Sequence, residues 1–469
     1  MPRYRLRSPF HNPDRRCAAE KRRIRMLELE VEELSLANDA WQAVVNGQAE
    51  TIIEQAQAIA DQERQIVELE NSLTVTNEAL EECLTGGEPP VEPPVDPPPV
   101  DPPPVDPPPV IRMLGHGRDS HGGAGGTVYE VTTLNPFGDG SLGKYAALTE
   151  PCIIRGAPGL EGIIYTDETI KVRSATTIEA LPVEVKNGGS LPHPAIEFEG
   201  AHIIARNIRS RPGPSTFETI GVKPFRIYGE NTHDVYLENL SGALGLDKSF
   251  SAFGGASRWT AVRCIFAWTL WHSNHRKGPH SRGITISTDQ GSPFGHSGTL
   301  IDCLIAGHRL RYPNVTTSEA EVLNCVLVCD DPMELGINLG DKWPGQHTAK
   351  LDLRGCWIRF NLPSGGTVLS APQSQGAGNV LVHESGNVSN VPIVPQSFVD
   401  RGFMSEDPVA SSGEELRPAE DAYRHVLATA GARHDGALDA LDAELIRQVR
   451  AESVRIIDSP SDLGLEGWS

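Results

Sequence analysis

Six short stretches of this chain end alike: ARNIRSR (205–211), LENLSGA (237–243), VRCIFAW (262–268), IDCLIAG (301–307), LNCVLVC (323–329) and LRGCWIR (353–359). Each sets a polar residue or a glycine directly before an apolar one, and successive copies start about 22 to 39 residues apart. A small β-rich unit repeated at such intervals cannot bury its apolar face alone, so a core forms only when each unit stacks on the next. The spacing therefore predicts the coils of a right-handed parallel β-helix. Cys264, Cys303, Cys325 and Cys356 then read as interior stacking positions, since the eight cysteines show no CxxC or Cys/His ligand spacing.

The repeats occupy only part of the 469 residues, and the rest is a mosaic. Residues 1–23 are rich in Arg and Lys and read as a basic tail, either solvated or an arm for an acidic partner. From Ile24 a heptad pattern runs through Val31, Asn38, Val45, Ile52, Ile59, Ile66, Leu73 and Leu80, with Leu27, Leu34, Trp41, Gln48, Gln55, Gln62, Leu69, Thr76 and Cys83 at the partner positions. Alternating steps of three and four, held over more than eight heptads, predict a left-handed coiled coil over residues 24–85. Its buried amides weaken the seam but penalise wrong registers. Isoleucine at several a positions is compatible with a homotrimer, the expected assembly, with a dimer as the alternative. Residues 86–110 contain EPPVEPPV and three DPPPV repeats, which predict an extended polyproline spacer. The β-helix is expected over 111–410, and a tail with two short helices, from apolar spacing at Ala422, Val426 and Leu427 and again from Leu438 to Val449, over 411–469.

The formal charge is −21, yet one stretch reverses the sign. Between Asp247 and Asp289 there is no acidic side chain, while Arg258, Arg263, Arg276, Lys277 and Arg282 are joined by His272, His275 and His280. An acidic protein that handles an anion does so where its field is locally inverted, so this island is the candidate ligand-facing surface. Trp259, Trp268 and Trp271 within it are either sugar-stacking platforms or packing residues. His272, His275, His280 and His308 lack zinc-type spacing and read as ligand contacts or exposed groups. No run of about 18 apolar residues is present, so no membrane-spanning helix is expected. The basic N-terminus lacks the apolar core of a signal peptide, so export by that route is not expected.

Five collinear segments carry a family resemblance. HGGAGGTVYEVTTLNPFGDGSL (121–142), IIARNIRSRPG (203–213), HSNHRKGPHSRG (272–283), AGHRLRYPN (306–314) and the tail from Ala422 to Gly464 resemble, in the right order, the signatures of pectate lyase-like proteins. That resemblance implies an all-β parallel β-helix and β-elimination on an acidic polysaccharide. Calcium would acidify the proton α to a uronate carboxylate and an arginine would remove it. On the matched positions it implies Arg311, in RYPN, as catalytic base and Lys277, in RKGPH, as substrate-binding, with Arg276, His280 and Arg309 beside them. The calcium half is poorly matched: Lys223 stands where relatives open the strand with Asp, Glu238 and Asn239 replace an Asp-His pair, and Asp247 is followed by Lys248. Glu238 and Asp247 are the carboxylates left to hold calcium.

Basic tail, coiled coil, proline stalk and β-helix head together resemble a phage tailspike or fibre. The expectation is a virion-surface, trimeric fibre that contacts other virion proteins through its N-terminus and binds acidic host polysaccharide. The alternatives are an active calcium-dependent lyase and a decoration fibre without carbohydrate function. Neither membrane insertion nor specific nucleic-acid binding is expected.

Overall fold

The structure, a computed structural model, describes residues 112–287, 292–316, 318–340, 348–370 and 380–464. The expected basic tail, coiled coil and polyproline spacer lie outside the described residues.

Among the described residues, strands pair in parallel into three sheets of ten, nine and eight strands. The chain visits the sheets in turn. One coil, for example, places His233–Glu238 in the ten-stranded sheet, Ser241–Gly242 in the nine-stranded sheet and Phe250–Phe253 in the eight-stranded sheet. The next coil repeats the circuit with Ser257–Val262, Ile265–Ala267 and Ile284–Ser287. This is the parallel β-helix that the recurring segments predict.

Register shows why those segments look alike. Ala205, Leu237, Ala261, Leu300, Val322 and Leu353 stand in one row across the ten-stranded sheet and are all fully buried. Each segment then bends towards the second sheet at its polar residue. Asn207, Asn239, Arg263, Asp302, Asn324 and Gly355 all have φ between 51° and 62°. That left-handed region is tolerated best by Gly, Asn and Asp, whose short side chains bond locally. The residue after the bend returns inward, so Cys264, Cys303, Cys325 and Cys356 stack in the interior with no exposed surface. Trp259 and Trp268, each 1% exposed, also belong to this core, which settles their packing reading over sugar stacking.

The glycines of the 114–126 stretch serve close approach. This arm lies on the ten-stranded sheet, where Gly117 donates to Thr260 at 2.8 Å and Gly123 to Thr177 at 2.9 Å. A Cβ on Gly123 would stand 1.8 Å from the Cys152 carbonyl oxygen. At the other end, helices Ala419–Thr429 and Ala440–Arg450 lie along the side of the β-helix. Asn239 donates to the carbonyls of Thr429 and Gly431 at 2.7 and 3.0 Å, and the fully buried Arg211 pairs with Asp442 at 2.6 Å. The tail thus satisfies polar groups that the bends leave outward-facing.

Candidate functional site

The eight-stranded sheet forms the floor of a cleft of about 540 Å3. Side chains alternate along each strand, so one residue set faces the core and the next faces out. Ile227, Ala252, Ile286, Val315 and Leu339 are buried in register, while Arg226, Ser251, Thr285, Asn314 and Asn338 form the outward row that floors the cleft. Lys223, Asp247, Lys248, Arg282 and Arg311 stand on the approaches just before their strands, and His275, Lys277 and His280 come from the long connection between Ala267 and Ile284. Six of the lining residues are Lys or Arg, and Asp247 is the one carboxylate among them. Arg226 is neutralised by the buried Glu197 of the neighbouring strand.

Asp247, 5% exposed, is the centre of the cluster. Its carboxylate accepts from Lys223 Nζ at 2.8 Å and from Lys248 Nζ at 2.7 and 2.6 Å, and His280 Nε2 lies 3.3 Å away. Burial pushes this carboxyl up, but the two ammonium groups and the His280 contact outweigh burial and hold it well below the usual range. Lys248 shows the converse. Burial pulls its ammonium down to about 7, with Lys223 and Arg311 adding to the effect and Asp247 opposing it. The His275 and His280 rings stack at 3.5 Å, and burial lowers both, His275 to about 4.

Arg311 extends over the floor. Its Nη1 donates to Thr285 Oγ1 at 3.1 Å, its buried Nε has no hydrogen-bond partner, and no carboxylate pairs with it among the described residues. Burial, reinforced by Arg282 and partly offset by Asp247, pulls its guanidinium down to about 10. Its placement depends on Gly283, where a Cβ would stand 2.4 Å from the Arg311 carbonyl oxygen and 2.9 Å from the His308 ring. His308 itself is fully buried beneath the cleft, bonded to Thr269 and to the Phe266 carbonyl, and is a core histidine rather than a ligand contact.

The cleft brings together Arg311, Lys277, His280 and Asp247 of the sequence candidates. Three others stand elsewhere. Glu238 closes its strand in the ten-stranded sheet and is held by Arg206 at 2.8 Å and by Arg263. It shares no site with Asp247, because nine residues of chain carry Asp247 past the second sheet to another face of the coil. Arg276 is exposed and faces Glu218 at 3.7 Å. Arg309 pairs with Glu334 at 2.8 Å and lies over the Trp271 ring at 4.3 Å. Arg282, from the basic island, also lines the cleft, whereas Arg226 and the Ser, Thr and Asn floor lie outside the sequence candidates; alternation of polar and apolar residues within each short strand is the signal for them.

Calcium takes six to eight oxygen ligands. Here the one lining carboxylate has both oxygens occupied by ammonium groups, the expected second carboxylate is on a different face, and the remaining charged neighbours are cations or imidazoles. These residues do not fit a calcium ion.

No family model matches this chain, and no curated protein matches it. Solved structures do. The major allergen of cedar pollen is similar over 69% of this chain and 93% of its own length, with 14% identity and a TM-score of 0.51, which supports the parallel β-helix fold. A pectate lyase mutant from Bacillus subtilis is matched over 69% of this chain and 97% of its own, with 14% identity and a TM-score of 0.47.

Proposed function

We propose that this chain is a fibre or tailspike-like virion protein whose β-helix head binds an acidic host polysaccharide in the cleft above the eight-stranded sheet. The observation that carries the reading is the cleft's charge: six cationic side chains, of which Glu197 neutralises Arg226, against one lining carboxylate, Asp247, in a chain of net charge −21. A groove lined by one sign concentrates ligands of the other. Serine, threonine and asparagine on the floor supply the neutral hydrogen bonds that sugar hydroxyls need. The heptads and proline repeats of residues 24–110 support a homotrimer on a stalk, in which weak sites act together because the second contact is effectively intramolecular.

One feature supports a second reading, cleavage by β-elimination. Arg311, with a guanidinium pKa lowered to about 10, lines the cleft, as a base removing a proton α to a uronate carboxylate would have to.

Binding of the full chain to a panel of uronate polysaccharides, with absorbance of the unsaturated product followed in parallel, separates the readings. Binding without product is expected, weakened about tenfold by Arg311→Met or Lys277→Ala, equivalent to about 1.4 kcal/mol. Product that disappears in Arg311→Met establishes the lyase. Neither binding nor product across a broad panel of glycans leaves the decoration fibre. A monomer in sedimentation of the full chain overturns the fibre assembly.

A further inference from the structure

We propose that the cleft engages its anionic ligand without any divalent cation, because the ammonium groups of Lys223 and Lys248 form a built-in cation on the carboxylate that a metal would use. The inference rests on the acidic-ligand reading above and states how that ligand is held.

A metal-bridged site needs carboxylates with free oxygens, one set facing the ion from the protein and one from the ligand. Asp247 offers none. Lys248 Nζ sits within 2.7 Å of both oxygens and Lys223 Nζ within 2.8 Å of one. The two lysines come from different coils: Lys248 from the residue next to Asp247, Lys223 from the preceding coil, where its Nζ is also anchored by the Gly221 carbonyl at 2.9 Å. Two ammonium groups would repel each other at this separation in a partly dry site. The carboxylate between them removes that repulsion and fixes both. With both lysines protonated, which for Lys248 holds below about neutral pH, the trio carries a net positive charge, and Arg311 and Arg282 line the same cleft.

The imidazoles do not rescue a metal site. Ligand atoms of Asp247, His275 and His280 lie within 4.8 Å of one another, a spacing open to a transition ion. The His275 Nδ1 already accepts from the Lys277 backbone N–H at 3.1 Å, leaving its Nε2 4.0 Å from an Asp247 oxygen that Lys248 holds. A dication here would have to displace two ammonium groups and sit beside two more cations. A ligand carboxylate or sulfate meets the opposite field and can dock directly on the lysines and Arg311.

The test uses the full chain and calcium chloride or zinc chloride alone, followed by polygalacturonate. Calorimetry of the parent with either metal is expected to show no saturable binding up to about 1 mM, the weak end of carboxylate calcium sites. The variant carrying Lys223→Asp and Lys248→Asn frees Asp247 and adds a second carboxylate, so it is expected to gain saturable calcium binding. If that variant fails to fold, Lys248→Asp alone, which removes the ammonium group held by both Asp247 oxygens and adds a second carboxylate, supplies the comparison. Polygalacturonate binding to the parent is expected to change less than about twofold between chelator and added calcium. Saturable metal binding by the parent, or an affinity for polygalacturonate that falls about tenfold or more in chelator, overturns the proposal. Failure of polygalacturonate to bind under either condition counts against the acidic-ligand reading. The metal titrations of parent and variant then decide the cation question independently.

Discussion

Arg211 and Arg311 are both drawn out of water, Arg211 fully and Arg311 in part, and their surroundings are opposite. Arg211 has no exposed surface and is surrounded by carboxylates: Asp442 at 2.6 Å, Asp439 at 3.1 Å and Glu184 at 3.4 Å. Burial alone would lower its pKa, but those carboxylates reverse the sign and raise it. Arg311 has a threonine hydroxyl and an arginine neighbour instead, and its pKa falls to about 10. Burial therefore does not separate a structural cation from a functional one; the supply of counter-charge does. Arg211 closes the joint between the β-helix and its C-terminal helix, because Asp439 caps that helix by accepting from Asp442 N–H and Asp442 also accepts from Ser241. Arg311 is left with cationic character unspent, as an anion-binding group must be.

The comparison breaks most visibly at Arg211. Arg211→Met strands the buried carboxylate of Asp442 and removes a partner of the half-buried Asp439, and should cost about 3 to 5 kcal/mol in urea unfolding. A cost below about 1 kcal/mol would mean that the tail is not held by this joint.

Next in size is Gly283→Ala. The added Cβ meets the Arg311 backbone and the His308 ring, neither of which is the free end of a flexible chain. A cost of about 1 to 3 kcal/mol is expected from overpacking. Ligand affinity should fall as well, because Ile284 N–H bonds the same Arg311 carbonyl at 2.9 Å. Lost stability with unchanged affinity would show that Arg311 is not positioned from below. Arg311→Met is the counterpart of the Arg211 change. It removes a poorly compensated buried charge, so folding stability should stay within about 1 kcal/mol of the parent or rise, while ligand affinity drops.

The fold was legible because the β-helix writes one bend per coil. Asn207, Asn239, Asp302 and Asn324 recur where the backbone takes positive φ, and a buried residue follows each. The site was legible only in part. Arg311, Lys277, His280 and Asp247 lie in segments with recognisable motifs. The floor row of Arg226, Ser251, Thr285, Asn314 and Asn338 was not, since connections of unequal length hide which residues meet across strands. Glu238 and Asp247 are paired as calcium ligands by the motif positions they occupy, but the coil carries them to different faces, Glu238 to the ten-stranded sheet and Asp247 to the cleft. Arg309 and Arg311 are close along the chain, but the segment between them is a turn, with Arg311 at φ 74°, so one side chain lies on Trp271 and the other over the floor.

The finest test of the contrast is the pH dependence of the cleft. Lys248 is faced by Asp247, Lys223, Arg311 and His280, and with a pKa of about 7 it loses its proton in the free protein as pH rises through neutrality. A bound anion favours the charged ammonium, so affinity should fall as pH rises, by at most about tenfold between pH 6 and 8 for one linked proton. His275, at about 4, and Arg311, at about 10, do not change charge over that interval. Folding stability should move the other way. The folded pKa of Lys248 lies below its ordinary 10.5, so between about 7 and 10.5 the unfolded chain binds more protons and this group's contribution to stability rises with pH. Lys248→Met should flatten both profiles. A pH slope that survives unchanged in Lys248→Met would assign the titration to another group and leave Lys248 as a fixed charge on Asp247.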